Sequence, residues 1–226
     1  MSRDATLSRI LDGGIVAVVR SESAEPLVHV VRALCDGGVT AVEITFTVPD
    51  APDVLREVRK AMGDAVVLGA GTVLDAETAR IALLAGAEYL VSPVVNAEVI
   101  RMARRYGKVV MPGAFTPTEI LAAWEMGADV VKVFPADVGG PAYLKAIRGP
   151  LPQIRLMPTG GVDLTTAEAF LRAGAVCLGV GGSLVDPKAV AAGDFGRIRD
   201  LAARFAALVA RGRGEHNEMR GPSAQA

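Results

Sequence analysis

Only five lysines occur in the chain, Lys60, Lys108, Lys132, Lys145 and Lys188, and one of them is set apart by its neighbours. Lys132 lies inside the β-branched run Asp129-Val-Val-Lys-Val-Phe-Pro135, whereas the other four fall in helical or strand-start positions close to solvent. Alternation along a strand puts Val130, Lys132 and Phe134 on one face and Val131 and Val133 on the other. An amine on the inward face of a parallel sheet loses its water, which disfavours the ammonium and lowers its pKa. The free amine can then add to a ketone and form a Schiff base. The competing reading is a structural ion pair, because such pairs also perturb titration. Glu43, in Ala41-Val-Glu-Ile-Thr-Phe-Thr47, is the natural partner, since Ala41, Glu43, Thr45 and Thr47 share one face. A carboxylate there serves as counter-ion, as a proton shuttle through a water, or as both.

Arg20 closes a further strand on its Val16, Val18, Arg20 face. There its guanidinium either clamps a substrate carboxylate with two parallel bonds or bridges Glu43. Two glycine loops, Pro158-Thr-Gly-Gly161 and Gly179-Val-Gly-Gly-Ser183, end the seventh and eighth apolar runs. In a barrel of alternating strands and helices, that is where bare backbone N–H groups and a helix N-terminus meet a phosphate. Glycine pairs alone say less, because any tight strand-to-helix turn uses them. Gly69-Ala-Gly-Thr72 is an ordinary turn or leaves open space beside the Thr72 hydroxyl, and Ser92-Pro93 and Phe134-Pro135 either serve packing or wall a pocket. His29 receives no role, and Asp137-Val-Gly-Gly140 reads as an ordinary loop.

These side chains meet only if strand ends converge, and the periodicity says how. Apolar, β-branched runs at 15–20, 40–46, 65–71, 88–93, 108–113, 129–135, 154–160 and 175–182 alternate with helix-like segments at 25–36, 52–61, 76–85, 97–105, 117–126, 141–147 and 164–173. CDGGV, LAGAE, EMGAD and RAGAV each place a glycine at a helix end, as a C-terminal stop requires. Eight strand–helix units predict an α/β fold, a single (β/α)8 TIM barrel spanning 1–212, with residues 3–12 as an N-terminal helix closing its bottom. The runner-up, a doubly wound open sheet, would carry a dinucleotide fingerprint after the first strand, and IVAVVRSESAE has none. From about Arg211 the composition turns polar, and 213–226 reads as a disordered tail.

Composition removes several function classes. Hydrophobic residues make up 51% of the 226 positions and charged residues 22%, enough apolar material for a sizeable core. The 24 basic and 25 acidic residues leave a net charge of −1 and no surplus to neutralise a nucleic acid. The 13-residue uncharged stretch from Ala173 to Val185 is too short to span a bilayer, and MSRDATLSRI lacks the apolar core of a signal peptide. A cytoplasmic protein is expected, with Cys35 and Cys177 as reduced, buried thiols. Two histidines, His29 and His216, cannot supply a multi-histidine metal site.

Taken in order and spacing, VEITFT, GAGTV, VSP, KVFPA, PTGGV and GVGGSL resemble the 2-keto-3-deoxy-6-phosphogluconate (KDPG) aldolases, carbon–carbon lyases of class I, some of which also act on 4-hydroxy-2-oxoglutarate. The resemblance runs from about Ile15 to Val185. It implies Lys132 as the Schiff-base lysine and Glu43 as the general acid/base. It also implies Thr72, Pro93 and Phe134 at the pyruvate pocket, and Gly160, Gly161, Gly182 and Ser183 at the phosphate site. It further implies a cytoplasmic homotrimer acting on a keto-deoxy sugar-acid phosphate, with pyruvate as a product and neither metal nor organic cofactor. Many members have an arginine where this chain has Thr47. Either Thr47 and Thr72 hold the substrate carboxylate with backbone help, or Arg20 supplies the charge. Phosphogalactonate (KDPGal) aldolases of the same group carry an arginine at the end of the first strand, which leaves the epimer open. Two rival readings are a phosphate-binding barrel isomerase or epimerase, and a non-catalytic oligomeric scaffold.

Overall fold

Strands and helices alternate as the apolar periodicity demands. In the computed structural model, which describes residues 1–220 and the side chains of residues 1–212, the order is α1 (Arg3–Gly13), β1 (Ile15–Val19), α2 (Leu27–Asp36), β2 (Ala41–Thr45), α3 (Ala51–Met62), β3 (Val67–Gly71), α4 (Ala76–Leu84), β4 (Tyr89–Val91), α5 (Ala97–Arg105), β5 (Val109–Met111), β6 (Gly113–Ala114), α6 (Pro117–Glu125), β7 (Val131–Val133), α7 (Gly140–Arg148), β8 (Leu156–Pro158), α8 (Ala167–Arg172), β9 (Leu178–Val180), α9 (Pro187–Ala191) and α10 (Phe195–Arg220). The glycine stops act one residue later than a simple cap. Gly86, Gly127 and Gly174 each follow the capping residue with φ of 106°, 99° and 98°. Only a residue without Cβ takes that conformation cheaply.

Two departures from the sequence reading have physical causes. The run at 108–113 is two strands, because Pro112 has no N–H to give and interrupts the ladder between β5 and β6. Beyond the last predicted helix lie α9 and the long α10, which the strand-and-loop periodicity did not reveal. Of the tail expected over 213–226, residues 213–220 continue the backbone of α10, and 221–226 lie outside the described residues.

The strands pair in parallel throughout, as a six-stranded sheet ordered β5-β4-β3-β2-β1-β9 and a three-stranded sheet ordered β6-β7-β8. Backbone bonds join the two. Asp129 N–H donates to Val110 C=O at 3.0 Å and Lys132 N–H to Pro112 C=O at 2.9 Å, while Val176 N–H reaches Leu156 C=O at 3.0 Å beside a Thr159–Gly179 bridge. The fold is therefore α/β with a curled parallel sheet. One apolar layer, including Leu34, Ile44, Leu68, Leu90, Phe170 and Phe205, lies between sheet and helices. A second is enclosed by the strands and gathers Val16, Val67, Tyr89, Val109, Met111 and Met157 around Ile10 of α1. Leu7 and Leu11 pack against it, so α1 seals one end of the interior as expected. No helix among the described residues is long and apolar enough to cross a membrane.

Candidate active site

The mid-strand position of Lys132 on β7 fixes its direction: the ladder holds its backbone, and alternation turns its side chain inward while Val131 and Val133 face the helices. It is 2% exposed. Burial pushes the amine below its ordinary pKa. The Glu43 charge opposes that shift and the Arg20 charge adds to it. Its Nζ lies 5.0 Å from the centre of the Phe134 ring, which walls one side.

Glu43 projects from the middle of β2 and is 1% exposed. Its two carboxylate oxygens are buried without a hydrogen-bond partner among the described residues. Burial raises its pKa, with Lys132 and then Arg20 acting against the rise. The two groups therefore feel each other's charge without forming the interior salt bridge that the sequence left open. Neighbouring glycines make the room. A Cβ on Gly71 would coincide with the Glu43 carboxylate, so the side chain fits only because β3 is bare at that point. Leaving buried carboxylate oxygens unbonded costs about 1–3 kcal/mol or more, a cost that protein cores seldom carry without a use for it.

Above this pair the strand ends form a mouth. A cavity of about 700 Å³ opens over the ends of β1 and β2 and against α9, lined by Arg20, Ser21, Pro26, Thr47, Pro187 and Lys188 among others. Arg20 and Thr47 share that wall and are both exposed, whereas Lys132 and Glu43 lie outside the lining. The Thr47 hydroxyl is 2.7 Å from that of Thr45, which is buried and also donates to Val19 C=O at 3.2 Å. At the end of β3, Thr72 holds φ of 56°. A β-branched residue there is strained by about 1–3 kcal/mol, and such strain gathers at functional sites. Pro93, half-buried, presses its backbone against Gly113.

The two glycine loops come together. Ser183 Oγ donates to Val162 C=O at 2.7 Å, tying the loop after β9 to the loop after β8. Gly160 and Gly161 have φ of 94° and 66° and lie over Asp137 in the loop after β7. Asp137 is thus part of the floor of this loop cluster rather than a plain connection. The start of α8 is not free for an anion: the Asp163 carboxylate accepts the Thr165 and Thr166 N–H groups at 2.7 and 2.9 Å. The Thr165 hydroxyl, donating to the same carboxylate at 2.6 Å, and then these N–H bonds hold the Asp163 carboxyl below its usual range. That helix end is already taken by Asp163, which narrows the sequence reading to the glycine loops.

The structure thus gathers Lys132, Glu43 and Phe134 in the interior, Arg20 and Thr47 at one side of the mouth, and Gly160, Gly161 and Ser183 at another, with Gly182 beside Ser183. Sequence reasoning passed over Tyr89 and Thr159, both inward and buried with unpartnered hydroxyls. Strand alternation in EYLVSP and the bridge position after Pro158 were the available signals. His29 stacks on Phe195 at 5.3 Å, away from the site. Cys177 is buried, but Cys35 is only half-buried at the edge of the main core, a correction to the expectation of two buried thiols. Among the described residues no three His, Cys, Asp or Glu side chains gather as metal ligands.

Comparison with known proteins follows the same lines. The sequence model of the KDPG and KHG aldolases matches residues 7–201. The 2-dehydro-3-deoxy-phosphogluconate aldolase of Treponema pallidum is 38% identical over 197 residues, covering 86% of this chain and 93% of that protein. A probable 2-dehydro-3-deoxy-6-phosphogalactonate aldolase of Rhizobium meliloti is 40% identical over 183 residues, covering 80% and 85%. Among solved structures, the KDPG aldolase of Legionella pneumophila, with pyruvate captured as a covalent carbinolamine intermediate, superposes with a TM-score of 0.82 at 27% identity, covering 88% of this chain and 96% of that one.

Proposed function

Given that this chain belongs to the KDPG and KHG aldolase family, we propose that it is a Schiff-base aldolase that cleaves 2-keto-3-deoxy-6-phosphogluconate to pyruvate and glyceraldehyde 3-phosphate, with Lys132 as the nucleophile and Glu43 as the proton carrier. Lys132 adds its free amine to the C2 ketone, and water leaves to give a protonated imine. That cation takes up the electron pair released as the C3–C4 bond breaks. Glu43 accepts the C4 hydroxyl proton through a water while the aldehyde departs. The enamine is protonated at C3, and hydrolysis returns pyruvate and the amine. The imine does the work of a Lewis acid, so the route needs no metal and no organic cofactor. The observation that carries this reading is the burial of Lys132 together with Glu43, whose two oxygens have no hydrogen-bond partner among the described residues, each group displaced by burial toward its neutral form.

Around that pair, Thr72, Pro93 and Phe134 border the pyruvate moiety. Gly160, Gly161, Gly182 and Ser183 receive the phosphate, and Arg20 and Thr47 complete the substrate-carboxylate side. The bonds that join the two sheets at both seams support an eight-stranded closed barrel in which β5 and β6 are one interrupted strand. Exposed Leu74, Ile81 and Leu84, along α4 and the turn before it, support a face that a second copy covers in a homotrimer. A second reading, cleavage of the phosphogalactonate epimer, is favoured by Arg20 at the end of β1 combined with Thr47. Pyruvate release from KDPG, KDPGal and 4-hydroxy-2-oxoglutarate, measured side by side, tests both. A highest kcat/KM for KDPG supports the first, a highest value for KDPGal replaces it with the second, and no release from any of the three refutes aldol cleavage.

A further inference from the structure

Tyr89 is fully buried at the start of β4, and its hydroxyl has no hydrogen-bond partner among the described residues. The strand register says where it points. Glu43 of β2, Gly69 of β3 and Tyr89 of β4 stand at one level on three adjacent strands. A Cβ on Gly69 would coincide with the far end of the Tyr89 ring, so the phenol lies across the bare position of β3 toward β2. One level higher, Gly71 opens the space that the Glu43 carboxylate fills. Two glycines, one under each polar side chain, therefore bring a buried O–H donor and a buried acceptor to the same side of one strand, each lacking any other bond.

We propose that Tyr89 is a positioning residue for Glu43, its phenolic O–H donating to the carboxylate through one buried water, so that Glu43 stays charged and aimed at the proton it must take. The inference rests on the proposed role of Glu43 in proton transfer. The charges acting on Glu43 come from Lys132 on β7 and Arg20 at the end of β1. Tyr89 itself faces Glu43 and Cys177, the residue before β9. Burial and the Glu43 charge hold the phenol well above its ordinary pKa, so it remains a donor across the working pH range. A hydrogen bond donated to the charged form of an acid lowers its pKa, and removing the donor raises it. A phenylalanine would pack equally well over Gly69 but would leave that side of the carboxylate to apolar surface.

The test is exchange of pyruvate methyl protons in D2O at saturating pyruvate, followed by proton NMR against pH. Bound pyruvate holds Lys132 as the imine, so Lys132 does not titrate. The base removes a methyl proton, the C–H pair becomes the C2=C3 bond as the C=N pair returns to nitrogen, and a deuteron enters on reversal. In Tyr89→Phe the acid limb moves up by about 0.5–1 pH unit, and the plateau rate falls about three- to tenfold, with the half-saturating pyruvate concentration unchanged. Glu43→Gln loses exchange by about a hundredfold or more. A Tyr89→Phe limb that coincides with the parent's, while Glu43→Gln is inactive, overturns the Tyr89 inference alone. Full exchange in Glu43→Gln overturns the proton-carrier role of Glu43 and this inference with it.

Discussion

Three carboxylates are buried among the described residues, and the chain treats them in two ways. Glu88 and Asp129 sit just before β4 and β7, at the strand ends nearest α1, and both are fully engaged. Glu88 pairs with Arg59 at 2.6 Å, Lys108 at 2.8 Å and the N-terminal amine at 3.7 Å. Asp129 pairs with Arg3 and accepts the Val110 N–H at 2.9 Å. Glu43 lies inside the strand array, equally buried, and neither oxygen is bonded. The same side-chain chemistry thus fastens one end of the fold and stands unspent near the other. A carboxylate that spends its acceptors on fixed donors cannot readily take a proton from a passing substrate, whereas an unbonded one beside a desolvated amine can.

The largest effect that bears on this contrast is at the amine. Lys132→Arg keeps the charge but never deprotonates, so cleavage should fall by at least about a thousandfold while the folded structure persists. Circular dichroism alongside the assay separates chemistry from folding. Exchanging the two carboxylates comes next. Glu88→Gln strands Arg59 and Lys108 and should lower stability by about 2–4 kcal/mol in urea titrations, with kcat little changed. Glu43→Gln should do the opposite, removing activity while leaving stability equal or higher. If both variants lose stability alike, the distinction between fastened and unspent carboxylates is wrong.

The sign of the pH dependence follows from the same contrast. Glu43 has its folded pKa above its unfolded value, so the native state binds more protons and stability falls as pH rises from the ordinary carboxylate range through the raised one. Lys132 has its folded pKa below its unfolded value, so stability rises with pH between its lowered value and the ordinary lysine range. Stability curves against pH for the parent and Glu43→Gln should therefore diverge as pH climbs through the Glu43 titration, with the variant higher on the alkaline side.

Much of the fold was legible because burial imposes periodicity. The segment 97–105 was read from the sequence with the bounds that α5 shows, and the inward phase of Glu43 and Lys132 followed from alternation alone. What stayed hidden depends on neighbours far along the chain. That Gly69 and Gly71 serve Tyr89 and Glu43, and that Asp163 consumes the helix end after β8, are facts of register and loop geometry that one-dimensional spacing does not carry. By contrast α10 does carry an apolar face, Ile198, Ala202, Phe205, Leu208 and Val209, which docks against α2 and α8; it went unread because it lies past the eighth strand–helix unit, where a barrel count stops.

Smaller effects belong to the mouth. Arg20→Ala should weaken pyruvate imine formation about ten- to a hundredfold if the guanidinium holds the substrate carboxylate, and Arg20→Lys should recover only part of it. An unchanged imine yield assigns that carboxylate to Thr47, Thr72 and backbone N–H groups. In the glycine loops proposed to take the phosphate, Gly182 is the better probe, since a side chain there meets nothing closer than Pro187 at 4.0 Å, whereas one on Gly161 would strike Asp137. Gly182→Leu should raise KM for KDPG by about tenfold and leave 4-hydroxy-2-oxoglutarate untouched. Equal damage to both substrates would make the loop a folding element.

The most direct measurement is borohydride reduction in the presence of pyruvate, followed by peptide mass spectrometry. A reducible imine should appear as one covalent pyruvate-derived adduct on Lys132, with activity lost in proportion, and none should form in Lys132→Arg. Failure to trap any adduct, or an adduct placed on Lys108 or another surface lysine while Lys132 stays unmodified, would contradict the assignment of this buried amine as the nucleophile.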